Sequence, residues 1–496
     1  MKSTNYCAII SNITLLGVFV IQKEELIALV GRVHAYQCEM QTVEIKSAHS
    51  GCPTKLFDTL SSFSNQDSGG VVLFGVAEAE GYEVLGVYDP QDLQQRVAEQ
   101  CKQMQPAVRP LFSVADIEDR IVVSAEIPGV DISDRPVFYK GAGRVKGSFI
   151  RVGDADEPMS DYEIYSYDAY RRRIRDDIRT VELAYVAHFN TELLDAYIAA
   201  IKKNKPNTEK LSSEEILQLM GIVRDGVPTL AGVLCLSSYP QAAFPQLCVT
   251  AVVIPGTQMG ETGLDGERFL DNKRIEGTIG EMLEETIRFV GRNMREKTIV
   301  GSDGKRNDKT EYPINAVREA VLNALMHRDY SIHTEGTPVR VLMFNDRMEI
   351  WSEGGLYGKL TIDSIGKVHA DTRNQTLVNI LEIQKIAENR YSGIPTIRSE
   401  MTAFHLPEPI FENRRGNFIV TLKNGRMVGT GSENGMPLLD FCHEPKTREE
   451  IASFLNITQY YAMKTQVNPL VEDGKLKMTI PDKPKSRNQR YYTRCR

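Results

Sequence analysis

Glu319, Asn323 and His327 stand four residues apart in this sequence. At i, i+4 and i+8 they form one stripe along a helix. A plain surface helix carries Lys and Glu in such a stripe, whereas each of these three can do site chemistry. Glutamate orients or deprotonates a water, and asparagine ligates a hydrated Mg²⁺ through its carbonyl. A satisfied polar face is the ordinary alternative. Two further acids, Glu39 and Glu44, bracket Met40-Gln41-Thr42-Val43 at the start of an alternating segment. Paired carboxylates beside a strand suit a divalent cation, although acids around strands are common. The third chemical feature is basic. From Asp482 to Arg496 six Lys/Arg residues face one Asp, the local excess expected of a nucleic-acid contact.

The surrounding residues say which elements hold these groups. Pro313 suits the first turn of a helix, on which Ile314, Val317, Val321, Ala324 and Leu325 form the apolar face. Val339 to Phe344 reads as a strand, Asn345-Asp346 as a hairpin turn and Arg347 to Trp351 as the return strand. That strand runs into Ser352-Glu353-Gly354-Gly355-Leu356, where glycines permit close backbone approach to a ligand. Tyr391 to Ile397 is a small-residue turn opening a helix, a candidate phosphate cradle around Ser392 and Gly393. Nearer the start, the spacing predicts a helix over Glu24–Val33 and a strand over Val43–Lys46. A helix capped by Thr54 and a buried strand over Val71–Val76 come next. Tyr170–Arg179 reads as a charged connector helix, Ala231–Leu236 and Cys248–Ile254 as apolar strands, Ile275–Met294 as an amphipathic helix and Asp303–Lys309 as a loop. Gly429–Pro437 has linker composition. After it, Thr447-Arg448-Glu449-Glu450 is a capping box. A second helix runs from Gln459 toward Val471, with Pro469 expected to kink it. The strand Lys475–Ile480, the basic loop and Tyr491-Tyr492-Thr493 complete a helix–turn–helix–hairpin plan.

The chain has 496 residues, enough for about three domains. Its net charge of −7 excludes a globally basic coat protein. The eight cysteines contain no C-x-x-C pair, which argues against a zinc ribbon, a thioredoxin-type motif or a disulfide scaffold and for reduced thiols in the cytoplasm. No G-x-x-x-x-G-K-[ST] occurs, so a P-loop helicase is excluded. Cys7–Ile21 is apolar but shorter than the roughly 20 residues a spanning helix needs. The next residues, Gln22-Lys23-Glu24-Glu25, form no cleavage site. Residues 1–22 are therefore expected to be an N-terminal extension, and no stable membrane association is expected.

Two sets of residues carry family resemblances. Arg318-Glu319-Ala320, Asn323-Ala324, His327-Arg328-Asp329-Tyr330-Ser331, Asp346 to Ile350, Gly354-Gly355-Leu356, Arg373-Asn374, Gly393-Ile394 and His405 to Pro409 together resemble the RecG-like C-terminal ATP-binding domain. That domain is similar to the gyrase B/histidine-kinase ATPases of Bergerat fold. The resemblance implies ATP and Mg²⁺, with Glu319 activating water and Asn323 holding the metal. His327, Ser352, Gly354, Gly355, Ser392 and Gly393 would line the nucleotide. The acid that reads adenine in that superfamily would fall near Ser352, with Glu353 beside it. Val43 to Lys46, Phe63-Ser64-Asn65, Gly69-Gly70, Leu73 to Val76, Leu85-Gly86-Val87, Lys140-Gly141 and Phe149 to Gly153 resemble the Schlafen-type AlbA domain. Nucleic-acid binding is what that resemblance implies. Lys46, Lys140, Lys146 and Arg151 are the candidate phosphate contacts. In nuclease-active Schlafen relatives three acids hold metal; Glu39 and Glu44 match two, and Glu78 stands one position late for the third. The C-terminal plan resembles winged helices appended to this family, with Tyr460, Lys464, Lys483, Lys485, Arg487 and Arg490 as candidate DNA contacts.

The expected fold is multidomain α+β. An extension (1–22) precedes a Schlafen/AlbA-type domain (23–167). After these come a connector with a divergent Bergerat-like α/β sandwich (168–428) and a winged helix-turn-helix (438–496). The leading function is a nucleotide-responsive DNA-binding protein, a transcriptional regulator with at most weak ATPase activity. The alternatives are a Schlafen-like metal-dependent nuclease and a non-catalytic scaffold. DNA and ATP are the expected partners, and self-association stays open.

Overall fold

A computed structural model gives the structure of the protein. It describes residues 21–263, 265–300, 306–368, 371–387, 392–414, 416–425, 438–455, 459–472, 474–481, 483–484, 486 and 489–493. The apolar run before Ile21 and the linker over 429–437 lie outside these residues. The chain divides into two compact units, one ending at Ile174 and one beginning at Arg175.

The first unit contains, in order, α1 (Lys23–Tyr36), β1 (Val43–Lys46), α2 (Phe57–Ser64), β2 (Gly70–Phe74), α3 (Pro90–Lys102), β3 (Leu111–Ile117) and β4 (Arg120–Ile127). It closes with β5 (Phe149–Val152), β6 (Ala155–Pro158) and α4 (Asp161–Arg171). The sheet order is β1-β2-β4-β3, with β1 and β2 parallel and the others antiparallel. Strand alternation supplies both faces of this sheet. Val72 and Phe74 enter one core with Leu60, Phe63, Leu93 and Val97. Leu73 enters another with Leu26, Val33, Ile45 and Val122. A parallel pair needs a crossover, and α2, buried from Thr59 to Ser64, provides it. The hairpin β5–β6 packs on α2. The strand over Val43–Lys46 stands where it was expected. The helix expected to be capped by Thr54 begins at Phe57.

The second unit is built on a six-stranded sheet. Its elements are α5 (Thr191–Asn204), α6 (Leu230–Leu236), β7 (Val249–Val253), β8 (Asp271–Ile275), α7 (Ile279–Asn293), α8 (Ile314–His327), β9 (Val339–Met343) and β10 (Arg347–Glu353). Then come α9 (Gln375–Ile383), α10 (Gly393–Ala403), β11 (Ile410–Arg414) and β12 (Asn417–Lys423). The strand order is β8-β7-β9-β10-β12-β11, antiparallel except where β7 meets β9. Helix α8 packs against α10 and α7 and lies on β10.

Several expectations change here. Ala231–Leu236 is helical rather than a strand. Thr229 caps α6 by accepting from Gly232 N at 3.3 Å, and every residue of α6 is buried. A short, wholly apolar run has no periodicity to separate the two states. The helix expected from Ile275 starts at Ile279, because Thr278 and Glu281 form its capping box while Ile275 ends β8. Part of the expected loop over 303–309 is strand: Arg306–Thr310 pairs with Glu296–Val300 as a two-stranded ribbon. The connector helix stops at Arg171, and helical turns resume only at Asp176–Ile178.

The C-terminal segment holds α11 (Leu438–Phe441), β13 (Lys446–Thr447), α12 (Arg448–Leu455), a helical stretch from Gln459 to Glu472, β14 (Leu476–Met478) and β15 (Arg490–Thr493). The expected capping box forms: Thr447 N donates to Glu450 Oε2 at 2.7 Å and Glu450 N to Thr447 Oγ1 at 3.2 Å. A π turn over Met463–Val467 precedes a restart at Asn468. Pro469 thus falls in a first turn, where its missing N–H costs nothing. Among the described residues no helix is long and apolar enough to cross a membrane.

Candidate functional site

The stripe on α8 runs into a cleft, with Glu319 and Asn323 half-buried and His327 exposed. All three line this cleft, which is open to solvent and has about 1150 Å³ of empty space. Ser352, Gly354 and Gly355 reach it from the end of β10, and Gly393 from the first turn of α10. Separate segments therefore bring seven of the eight expected nucleotide residues to one cavity. Ser392 sits just outside it, exposed at the N-cap of α10. Leu356, Tyr357, Leu360, Ile365, Ile394 and Phe418 supply a largely apolar wall.

Close approach explains the glycines. A Cβ on Gly393 would stand 2.9 Å from Glu319 Oε2 and 3.0 Å from Asn323 Nδ2, so α10 begins directly against the polar stripe. Gly354 has φ +90°, and a Cβ there would fall on Arg373 Nη1 and 2.6 Å from Asp329 Cβ. Arg373 holds the turn from below. It pairs with Asp329 Oδ2 at 3.2 Å, donates to the Gly355 carbonyl at 3.3 Å and lies over the Tyr357 ring.

His327 is exposed at the mouth of the cleft but walled by protein on its other sides. That surrounding mass, with the Arg373 charge, lowers its pKa to about 4. Water at the mouth of the cleft works against that desolvation, so what stands is the direction, a neutral imidazole at pH 7. Burial raises the Glu353 carboxyl, against the lowering effect of Arg328 and Arg340. Ser352 donates at 3.5 Å to the Phe418 carbonyl.

The cavity's donors allow a test of ATP and Mg²⁺. Asn323 Nδ2 is buried without a hydrogen-bond partner, so a polar group stands ready at the stripe. The apolar wall suits a base and sugar. Among the described lining residues the one Lys or Arg is Arg373, and it is committed to Asp329. A triphosphate fits here when it brings its own divalent cation.

In the first unit Glu39 and Glu44 do converge, but around an arginine. The Arg151 side chain is 1% exposed. Its Nη1 lies 2.8 Å from Glu44 Oε2 and 2.9 Å from Asp156 Oδ1, and its Nη2 3.5 Å from Glu39 Oε2. Arg151 is therefore not the exposed phosphate contact expected of it, because burial and these carboxylates hold it inside. Lys46 pairs with Glu44. Burial raises the Glu39 carboxyl, opposed by the Ile45 N–H, which donates to it at 2.8 Å. Glu78 is exposed on a short turn, its carboxyl 3.5 Å from the Tyr82 hydroxyl. Among the described residues no three His, Cys, Asp or Glu side chains are arranged to hold a metal ion. Lys140 and Lys146 are exposed, and Lys140 Nζ donates to the Lys102 carbonyl at 3.1 Å.

In the C-terminal segment Lys483 and Arg490 are exposed. Arg490 Nη1 donates to the Pro445 carbonyl at 3.2 Å. Lys485 and Arg487 lie outside the described residues, and Tyr460 and Lys464 are described only as helical backbone.

The residues that sequence reading did not assign are the lining residues Arg373 and the wall from Leu356 to Val368, with Asp329 paired to Arg373 behind them. Asp329 and Arg373 stand inside the motifs of the RecG-like resemblance, and that is their only signal. Arg328 and Asn374 prove structural. Arg328 donates to the carbonyls of Thr334 and Thr337, both at 2.9 Å, and Asn374 Nδ2 to those of Met326 and Arg328 at 3.0 and 2.8 Å. They tie off the end of α8.

Comparison with known proteins agrees with this division. Residues 39–160 match the family model described as "Schlafen, AlbA_2". Residues 336–422 match an HATPase-type model described as "Putative ATP-dependent DNA helicase recG C-terminal". Residues 437–493 match the C-terminal domain of Fic-like proteins (filamentation induced by cAMP). The chain thus matches a Schlafen AlbA_2 model within its first unit and a RecG-like C-terminal, ATPase-related model within its second. A search of curated proteins finds no match. Among solved structures it is similar to the DIP2311 protein of Corynebacterium diphtheriae. The identity is 19%, covering 91% of this chain and 93% of that one, with a TM-score of 0.39. It is also similar to the N-terminal domain of a RecG-related protein from Nitrosomonas europaea. There the identity is 25% over 27% of this chain and 93% of that one, with a TM-score of 0.23.

Proposed function

We propose that this chain is a nucleotide-responsive DNA-binding regulator that takes ATP with Mg²⁺ in the cleft of its second unit. One observation carries the reading. Glu319, Asn323 and His327 on α8 share a cavity with the glycine turns after β10 and before α10. The family matches support the coarser statement, a DNA-related, ATP-binding protein. Asn323 and Glu319 would hold the hydrated cation, which would supply the positive charge that the cleft wall lacks. Glu319 would also orient a water, with turnover slow or absent. Ser352, Gly354, Gly355 and Gly393 would let the nucleotide lie against backbone.

DNA contact would come from two places. Lys140 and Lys146 form an exposed basic surface in the Schlafen-type domain. The C-terminal segment would act as a winged helix. Its order of helix, short strand, two helices and hairpin supports this, as does the basic loop with Lys483 and Arg490. Among the described residues six cysteines are unpaired, four of them buried, which supports a reducing cytoplasmic setting.

The test is a thermal-shift titration with Mg-ATP. Wild type is expected to gain stability as ligand exceeds Kd, by about 2.7 kcal/mol at a hundredfold excess. Asn323→Ala should show little gain. No shift in wild type removes the nucleotide from the reading. A full shift in Asn323→Ala moves it to another site.

A further inference from the structure

The acid cluster of the first unit carries an inference that goes beyond the nucleotide reading. Glu44 projects from β1, Glu39 from the turn before it and Asp156 from β6, so three carboxylates from different elements meet. A cluster of that kind is stable only if a cation sits among them or a carboxyl takes up a proton. Here the cation is covalently part of the chain. Arg151, on β5, puts its guanidinium within 2.8 to 3.5 Å of all three.

The surroundings fix that guanidinium rather than leave it mobile. Its face lies over the Phe63 ring at 5.2 Å. Asp156, its hydrogen-bond acceptor, is held from α2 by Ser62 Oγ at 2.6 Å and Thr59 Oγ1 at 2.7 Å. Lys46 takes the other oxygen of Glu44. The fit is not saturated: Arg151 Nε and Nη2 and Glu44 Oε2 have no partner in hydrogen-bond geometry. Asp156 takes a directed hydrogen bond from Arg151, while Glu44 and Glu39 face the guanidinium as charge against charge, the relation a metal ion would have with them. Burial alone would lower the Arg151 pKa, but Asp156 and Glu44 more than offset it, so the group stays charged.

We infer that Arg151 is a resident cation occupying the position where these carboxylates would otherwise gather a divalent metal. The first unit then binds nucleic acid without cleaving it. No metal can enter unless the guanidinium leaves, and β5 and the Phe63 ring hold it in place. Spread around the arginine, these three acids are not arranged to hold a metal ion; with the arginine substituted, Glu39, Glu44 and Asp156 would be free to close on one.

Mn²⁺ binding to the full chain tests this, measured by isothermal titration and by the loss of the free-ion electron paramagnetic resonance signal. Comparison with Glu44→Gln isolates the cluster from any cation bound with nucleotide in the second unit. Wild type and Glu44→Gln are expected to bind Mn²⁺ alike and to leave single-stranded DNA equally intact. Arg151→Met should gain one Mn²⁺ site, at least tenfold tighter than anything wild type has there, and Arg151→Met/Glu44→Gln should lose it. Wild-type binding or cleavage that Glu44→Gln abolishes would overturn the inference. So would a folded Arg151→Met protein with no new site. Should Arg151→Met not fold, the wild-type and Glu44→Gln pair still decides.

Discussion

At the residue scale two glycines divide the work of shape and the work of binding. Gly354 combines φ +90° with a position where a Cβ meets the Arg373–Asp329 pair. Asp329 is buried, and its backbone N, 2.7 Å from that Cβ, cannot give. Gly354→Ala is expected to cost about 3 kcal/mol or more, from backbone strain plus overpacking, with a fall in urea midpoint. Gly393 is different. The atoms its Cβ would meet are the ends of the Glu319 and Asn323 side chains, which can swing into the cleft. Gly393→Ala should unfold within about 1 kcal/mol of wild type while losing its Mg-ATP stabilisation. Equal ligand shifts in the two proteins would show that the first turn of α10 does not border the ligand. The stripe itself was legible in the sequence, because 3.6-residue periodicity fixes which side chains share a face. That it faces a cleft was not legible. Nothing in residues 314–327 says what packs beside them.

At the element scale α9 shows how far apart a helix and its cap can be. Asn374 occupies the N-cap but makes no side-chain capping bond. The cap comes instead from Asp177, fully buried, whose Oδ2 accepts from Thr376 N at 2.6 Å and Leu377 N at 3.3 Å. Asp177→Ala should cost about 2 kcal/mol by denaturant melt, since buried N–H groups lose their acceptor. Asp177→Asn keeps an acceptor oxygen. Burial raises the Asp177 pKa in the folded protein, against the lowering effect of Arg175. That direction sets the sign of the pH dependence. The contribution of this group is full below its unfolded pKa near 3.8 and falls as pH rises through the raised folded value. Relative to wild type, Asp177→Asn should therefore gain stability between pH 4 and pH 7. A gap that moves the other way would contradict the burial. Local signals served well where caps are local: Thr447 and Glu450 were read correctly. They failed at α6, whose uniform burial erased its periodicity.

At the scale of the whole molecule the chain behaves as two units with separate cores. Residues 21–174 contain a four-stranded sheet covered on both faces. Expressed alone, they are expected to unfold in one cooperative urea transition, monitored by far-UV circular dichroism. A broad, non-cooperative loss of signal would show that this unit depends on the rest. The sequence by itself determined composition class, the motif-bearing elements and the chemistry available to each side chain. These depend on residue type and local spacing, which a linear chain carries in full. Tertiary structure alone decided which of those groups meet. Glu319 and Gly393 lie 74 positions apart, and Arg151 more than a hundred from Glu44. Their meeting depends on sheet order and helix packing, which are summed over the whole core. So the stripe on α8 became the wall of a cleft. The acid pair read as a metal site became an enclosure for the chain's own arginine.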